Sequence, residues 1–170
     1  MSLINDNYIH EKVNVENYIT GLLFKFSEIS KKDICNVELS NAGHPYPLFY
    51  SSETNTVSEI KYKNLEMQYG MLGIEDLPVS FPSTMIKTKQ DDIIVAFTDG
   101  LTEAKSTTGK TFDPKKIEKI ILSKAKLSAD EILQSIISSY LKFTENSKIL
   151  DDVTIIVLKR TKSADFIEEL

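Results

Sequence analysis

The chain has 170 residues, 41% of them hydrophobic, and a net charge of −5 from 20 basic and 25 acidic side chains. That length and apolar content suit one globular domain with a real core, and an acidic balance without a long basic run argues against nucleic acid as the main partner. No apolar run approaches the roughly 20 residues that span a bilayer, no basic-then-apolar leader opens the chain, and the single cysteine, Cys35, excludes an internal disulfide or a cysteine metal cluster and fits a reducing cytoplasm.

Met1-Ser2-Leu3 reads as an appended start, with the natural protein beginning further upstream. Residues 4–17 are polar and mixed, the frayed end of a helix or a loop, with His10 solvated. Tyr18 to Phe26 is a strand, Ser30-Lys31-Lys32-Asp33 a turn, and Cys35, Val37 and Leu39 alternate with Asn36, Glu38 and Ser40 as in a half-buried strand. Gly43, Pro45 and Pro47 turn and stiffen the next segment. Leu48 to Tyr50 and Val57 to Tyr62 complete an expected antiparallel meander, and residues 63–80 are irregular around Gly70-Met71-Leu72-Gly73-Ile74. Phe81 to Thr88 is a further strand, turning through Lys89 to Asp92 into Ile93 to Phe97.

Five consecutive apolar residues, Ile93 to Phe97, predict a strand buried on both faces, and it ends in Thr98-Asp99-Gly100. A carboxylate at the tip of such a strand is held rigidly where a ligand can reach it, although Asp-Gly is also an ordinary turn. Lys105 to Lys110 reads as a flexible polar loop. Asp113-Pro114 is a helix start, with Ile117, Ile120 and Ile121 on one face as far as about Lys126. Ser128 to Glu131 has capping-box spacing ahead of a stripe of Ile132, Leu133, Ile136, Ile137, Tyr140 and Leu141, expected to face the core. Lys142 to Ile149 is a loop, Asp151-Asp152 opens the last strand, and the tail after Arg160 is charged. If the two acid-tipped strands are antiparallel neighbours, Asp99 and Asp151 meet at one sheet edge, where clustered carboxylates either raise one another's pKa or hold a hard cation.

Four stretches occur in order: Asn41-Ala42-Gly43-His44-Pro45-x-Pro47-Leu48, Leu72-Gly73-Ile74, Thr98-Asp99-Gly100-x-x-Glu103-Ala104 and Asp151-Asp152-x-Thr154. Together they resemble the metal-dependent PPM-type (type 2C-like) serine/threonine phosphatases, in the bacterial RsbU/SpoIIE branch, from about Tyr18 to Leu158. The resemblance implies an α+β fold, a largely antiparallel β-sandwich flanked by helices, as one domain over residues 1–170 with its core at about 18–160. It implies hydrolysis of phosphoserine or phosphothreonine by a metal-activated water, two Mn²⁺ or Mg²⁺ ions in the complete domain, and no protein nucleophile. Asp99 and Asp151 would be metal ligands, and Asp152 an outer-site group or a support to the ligands. His44 falls where eukaryotic relatives carry an acid near an outer metal, while its own chemistry favours a turn histidine bonded to a backbone carbonyl. Glu103 would bond local backbone, and Thr98 and Thr154 their neighbours across the strands. A haloacid-dehalogenase-type phosphatase would need Asp two residues before Asp99, and Phe97 stands there.

The family's Gly-Asp and Asp-x-x-Gly-His-Gly elements are absent from this sequence, and Phe112-Asp113 lacks the Gly that usually follows the phenylalanine. The chain is therefore expected to be the C-terminal half to two-thirds of a phosphatase domain, lacking the N-terminal part of the fold and weakly active or inactive alone. By resemblance the partner is a phosphorylated regulatory protein, such as an anti-sigma-factor antagonist, in the cytoplasm and behind a sensor or membrane module. An oligomer through exposed sheet surface is expected as well. The alternative is a non-catalytic relative that docks a regulatory partner.

Overall fold

The structure, a computed structural model, describes residues 1–11, 17–30, 33–62, 70–74, 80–148 and 151–162. Its elements in order are α1 (Ser2–Glu11), β1 (Gly21–Phe26), β2 (Cys35–Ala42), β3 (Leu48–Ser51), β4 (Thr56–Glu59), β5 (Ser83–Thr88), β6 (Ile93–Phe97), α2 (Asp99–Thr102), α3 (Lys115–Lys124), α4 (Ala129–Thr144) and β7 (Ile155–Lys159). Two antiparallel sheets form, ordered β1-β2-β5 and β4-β3-β6-β7. The fold is thus the expected antiparallel sandwich with helices on it.

The first four strands do not form one meander. β2 pairs with β1 and β5, while β3 pairs with β4 and β6 in the other sheet. The cause is the corner after β2. Gly43 takes a φ of +68°, and the Asn41 side chain brackets His44 by accepting from its N–H and donating to its carbonyl, each at 2.8 Å. With Pro45 and Pro47 following, the chain crosses between sheets instead of reversing within one.

Period-two alternation sorts the side chains into two layers. Cys35, Val37 and Leu39 of β2 meet Ile94 of β6 and Ile60 between the sheets. Ile93, Val95 and Phe97 point the other way, against Ile117 and Ile121 of α3 and Ile132, Ile136 and Tyr140 of α4. All five residues of β6 are buried, as its unbroken apolar run predicts. Each fully buried aliphatic side chain contributes about 1.5–3 kcal/mol.

Both helix starts follow their sequence signals. Asp113 accepts from the Lys115 N–H at 2.9 Å, and Pro114 already has helical angles, so Asp113 caps α3. Ser128 and Glu131 close a reciprocal capping box on α4. The α4 stripe divides: Ile132, Ile136 and Tyr140 are buried, Leu133 and Ile137 are half-buried, and Leu141 is exposed. The loop expected from Lys142 begins later, since α4 runs to Thr144. Lys105 to Lys110 is a tight turn: Lys105 bridges Thr111, Ser106 accepts from Gly109 and donates to Lys110 through its backbone, and Gly109 has a φ of +78°. The 4–17 segment opens inside α1, which runs over Ser2–Glu11, and its residues 12–16 lie outside the described residues. Parts of other sequence readings lie outside the described residues: Lys31 and Lys32, most of the irregular 63–80 segment, and the tail from residue 163.

Candidate metal-binding edge

The ends of β6 and β7 define the site. They are antiparallel neighbours, with Phe97 opposite Ile155. The pairing continues beyond the strands, because the Thr98 N–H donates to the Thr154 carbonyl at 3.1 Å. The Thr98 hydroxyl accepts from the Thr154 N–H at 2.9 Å and reaches the Asp152 carbonyl at 3.4 Å. Thr98 therefore fastens the segment that carries Asp151 and Asp152 to the end of β6.

After Thr98 the chain makes one helical turn, α2, that the sequence reading did not separate from the turn. Its signal was an N-cap-type residue followed by an acid. Thr98 makes no capping bond, because its hydroxyl is used across the strands. Fully buried Leu101 anchors the turn in the helical layer. Gly100 has no room for a side chain: a Cβ there would lie 2.3 Å from the Asp152 carbonyl oxygen and 3.5 Å from the Asp151 Cβ. Asp99 and Asp151 are thus carried on two backbone segments in direct contact, as strand pairing predicts.

Each carboxylate has one oxygen engaged locally. Asp99 Oδ1 accepts from the Gly100 N–H at 3.0 Å, and Asp151 Oδ1 accepts from the Asp152 N–H at 2.8 Å. Neither forms an ion pair with a described residue. Asp152 enters the arrangement through its backbone, and among the described residues no three or more His, Cys, Asp or Glu side chains group to hold an ion. Glu103 contributes its N–H, which bonds the Asp99 carbonyl at 2.8 Å, and its carboxylate is exposed. The expected bond from the Glu103 carboxylate to local backbone is not found among the described residues; only its main chain makes one.

His44 reaches the same region from the corner after β2. Its Nδ1 lies 3.1 Å from the Thr20 hydroxyl. Burial pushes its pKa below the ordinary value, against the nearby Asp99 carboxylate and a hydrogen bond to the Phe97 carbonyl, which pull it up. His44 is a turn histidine whose Nδ1 meets the Thr20 hydroxyl and whose ring is set beside Asp99. Its partner Thr20 carried no sequence signal.

A cleft of about 390 Å³ opens next to Gly100 and Asp151, between the 102–111 segment and the C-terminal half of α4. Tyr140 and Thr144 line it from the helix.

The family described as Stage II sporulation protein E (SpoIIE) matches residues 4–161. The chain belongs to the SpoIIE family. Phosphoserine phosphatase RsbU of Bacillus subtilis (strain 168) is 31% identical over 121 residues, covering 71% of this chain and 34% of RsbU. The SpoIIE phosphatase domain from Bacillus subtilis, presoaked with Mn, superposes with a TM-score of 0.64 at 13% identity, over 94% of this chain and 64% of that one. The Mycobacterium tuberculosis serine/threonine phosphatase PstP/Ppp gives 0.61 at 15% identity, over 95% and 68%. A structure of the PstP catalytic domain contains two manganese ions. At these identities the solved structures establish the fold. This SpoIIE-family chain spans about a third of RsbU and about two-thirds of the solved phosphatase chains.

Proposed function

We propose that this chain supplies part of the site of a metal-dependent protein serine/threonine phosphatase, with Asp99 and Asp151 as metal ligands. The observation that carries this reading is the close contact of Gly100 with the Asp151-Asp152 backbone, which sets at one sheet edge two carboxylates that have no ion-pair partner among the described residues. The donor chemistry fits: oxygen-only ligands suit Mn²⁺ or Mg²⁺, and each carboxylate keeps one oxygen free of described hydrogen-bond partners. Such ions, when bound, lower the pKa of a water and neutralise the phosphoryl oxygens.

The protein's own contribution is positional. Thr98 and Gly100 fix the spacing of the two acids, and His44 brings a neutral, half-buried imidazole beside Asp99. Asp152 serves through its backbone. Two carboxylates are fewer ligands than a hard divalent ion takes, so this chain alone is expected to bind metal weakly and turn over phosphoester slowly or not at all. The substrate is phosphoserine or phosphothreonine on a cytoplasmic regulatory protein, such as an anti-sigma-factor antagonist; the name phosphoserine phosphatase given to RsbU supports the class. Self-association through exposed sheet surface is part of the same proposal.

Paramagnetic broadening by Mn²⁺ in NMR spectra of the 170-residue chain tests the ligands. Amides of residues 98–101 and 151–154 should broaden first, and Asp99→Asn and Asp151→Asn should each remove the effect. Broadening that survives both substitutions would overturn the assignment.

A further inference from the structure

We propose that an apolar pocket at the end of the sandwich opposite the metal-binding edge seats the segment that follows β7, residues 163–170, with Phe166 and Ile167 filling it. This inference does not rest on the phosphatase reading.

The pocket, about 410 Å³, lies at the start of β6, where Asp92 and Ile94 line it, whereas Asp99 follows the other end of that strand. Cys35 of β2 and Ile94 reach it from the layer between the two sheets. Phe26, Ile29 and Leu158 also line it, and they are 53%, 48% and 37% exposed. Three large apolar side chains on one concave surface are a patch that calls for cover, unlike single apolar residues scattered over a surface. Charged groups beside them are already engaged. Asp92 accepts from the Ser52 N–H and hydroxyl, each at 2.8 Å, and from the Lys89 N–H at 2.7 Å. Lys159 donates to the Ala125 and Leu127 carbonyls. Arg160 donates to the Asp33 and Thr88 carbonyls and pairs with the Asp33 carboxylate. The pocket therefore suits an apolar group better than an ion.

The course of the chain indicates what covers it. The pairing of β6 with β7 extends to Arg160, whose carbonyl accepts from the Asp91 N–H at 2.8 Å and whose N–H donates to the Asp92 carbonyl at 2.9 Å. Thr161 and Lys162 come next, and both are exposed and line the pocket. Lys162 is the last described residue, so the chain leaves the described structure on the pocket's own rim. The sequence continues Ser163-Ala164-Asp165-Phe166-Ile167-Glu168-Glu169-Leu170, in which Phe166 and Ile167 are the first large apolar side chains after Leu158. Four residues of extended chain reach at most about 14 Å, so Phe166 is held within a short span of the rim. A tether that short gives the pair an effective concentration in the millimolar range, which a separate protein seldom matches. Asp165 and Glu168 bound the apolar pair, and the pocket is large enough for two such side chains.

Cys35, the only cysteine of the chain, lines the pocket and reports on its cover. The test is the rate at which an aromatic disulfide reagent labels that thiol in the full chain, well below the melting temperature. A segment seated nine-tenths of the time slows labelling about tenfold, so Phe166→Ser/Ile167→Ser should raise the rate by about that factor. Leu3→Ser/Ile4→Ser, which removes two exposed apolar side chains from α1, should leave it unchanged. A peptide with the sequence of residues 163–170, added to the Phe166→Ser/Ile167→Ser variant, should restore the protection, and a peptide of the same composition in permuted order should not. Nuclear Overhauser contacts between the Phe166 ring and the methyl groups of Ile94 and Leu158 read the same seating without the thiol, and they decide where the two measurements disagree. Equal labelling of wild type and variant without those contacts overturns the proposal. So does equal acceleration by Leu3→Ser/Ile4→Ser, or equal protection by the permuted peptide, since either would mean cover without a specific seat. Protection that grows with protein concentration overturns it as well, because the occupant would then be a second copy of the chain.

Discussion

Gly100 and Asp152 are in backbone contact, with the Gly100 Cα facing the Asp152 carbonyl so closely that a methyl group would sit 2.3 Å from its oxygen. The obstacle is main chain held by Thr98, so it cannot swing aside as a long side chain would. Gly100→Ala should cost about 1–3 kcal/mol, the usual range for forcing atoms into a packed site. It should also part the segments bearing Asp99 and Asp151. Chemical denaturation measures the first effect, and loss of Mn²⁺ broadening at residues 98–101 the second. Unchanged stability would show that the two segments separate at no cost.

The same contact marks how far the sequence could be read. The acid-tipped strands were legible because Ile93 to Phe97 and the run from Val153 to Leu158 are apolar, β-branched and bounded by Asp, and pairing them antiparallel puts Asp99 beside Asp151. The helices were legible from Asp113-Pro114 and the Ser128–Glu131 box. The assignment of strands to sheets was not. Alternation says which face of a strand is apolar but not which sheet it joins, and the crossing after β2 depends on Asn41 side-chain bonds to the His44 backbone. Tertiary partners such as Thr20 for His44, or the Tyr140 position beside the cleft, leave no local pattern to read.

His44 makes the stability pH-dependent in a direction set by its burial. Its folded pKa is lowered, first by desolvation and against the pull of Asp99 and the Phe97 carbonyl. Above the ordinary histidine value of about 6.5 the ring is neutral in both states and contributes no pH dependence. As pH falls below that value, the unfolded chain takes up a proton that the folded site resists, so stability declines until the folded pKa is passed. In metal-free protein the ring resonances of His44, assigned by their loss in His44→Gln, should titrate with a midpoint below the ordinary value. His44→Gln should flatten the stability slope just below the ordinary histidine value, where only the unfolded chain takes up the proton. A midpoint above the ordinary value would mean that Asp99 outweighs burial.

Lys159 is a structural cation that charge counting would place on the surface. It stands on β7, yet its side chain is only 8% exposed, and Nζ donates to the carbonyls of Ala125 at 2.7 Å and Leu127 at 2.8 Å. Those carbonyls close the turn between α3 and α4, where a helix end presents acceptors without intrahelical donors. Lys159→Met keeps most of the apolar stem and removes the ammonium. It should cost about 1.5–3 kcal/mol, the range for charge-assisted bonds. The unfolding midpoint should fall with the denaturant slope unchanged, whereas a loss below about 0.5 kcal/mol would place Nζ in solvent instead.

β7 is the outer strand of its sheet, and its inward-facing residues are not covered by the described structure. Ile156 and Leu158, opposite Ala96 and Ile94, are 51% and 37% exposed, although their neighbours on β6 are buried. An edge strand with free backbone groups and an apolar row beside them favours pairing with another strand. The chain should therefore self-associate as its concentration rises, and Ile156→Lys/Leu158→Lys should make it monomeric. Both positions already meet solvent, so the substitutions should leave the circular dichroism spectrum intact. Sedimentation velocity over a hundredfold concentration range reads the outcome. A wild-type chain that stays monomeric throughout, or a double variant that associates equally well, would remove β7 as the contact and turn attention to the opposite sheet, where Leu23 and Met85 are also exposed.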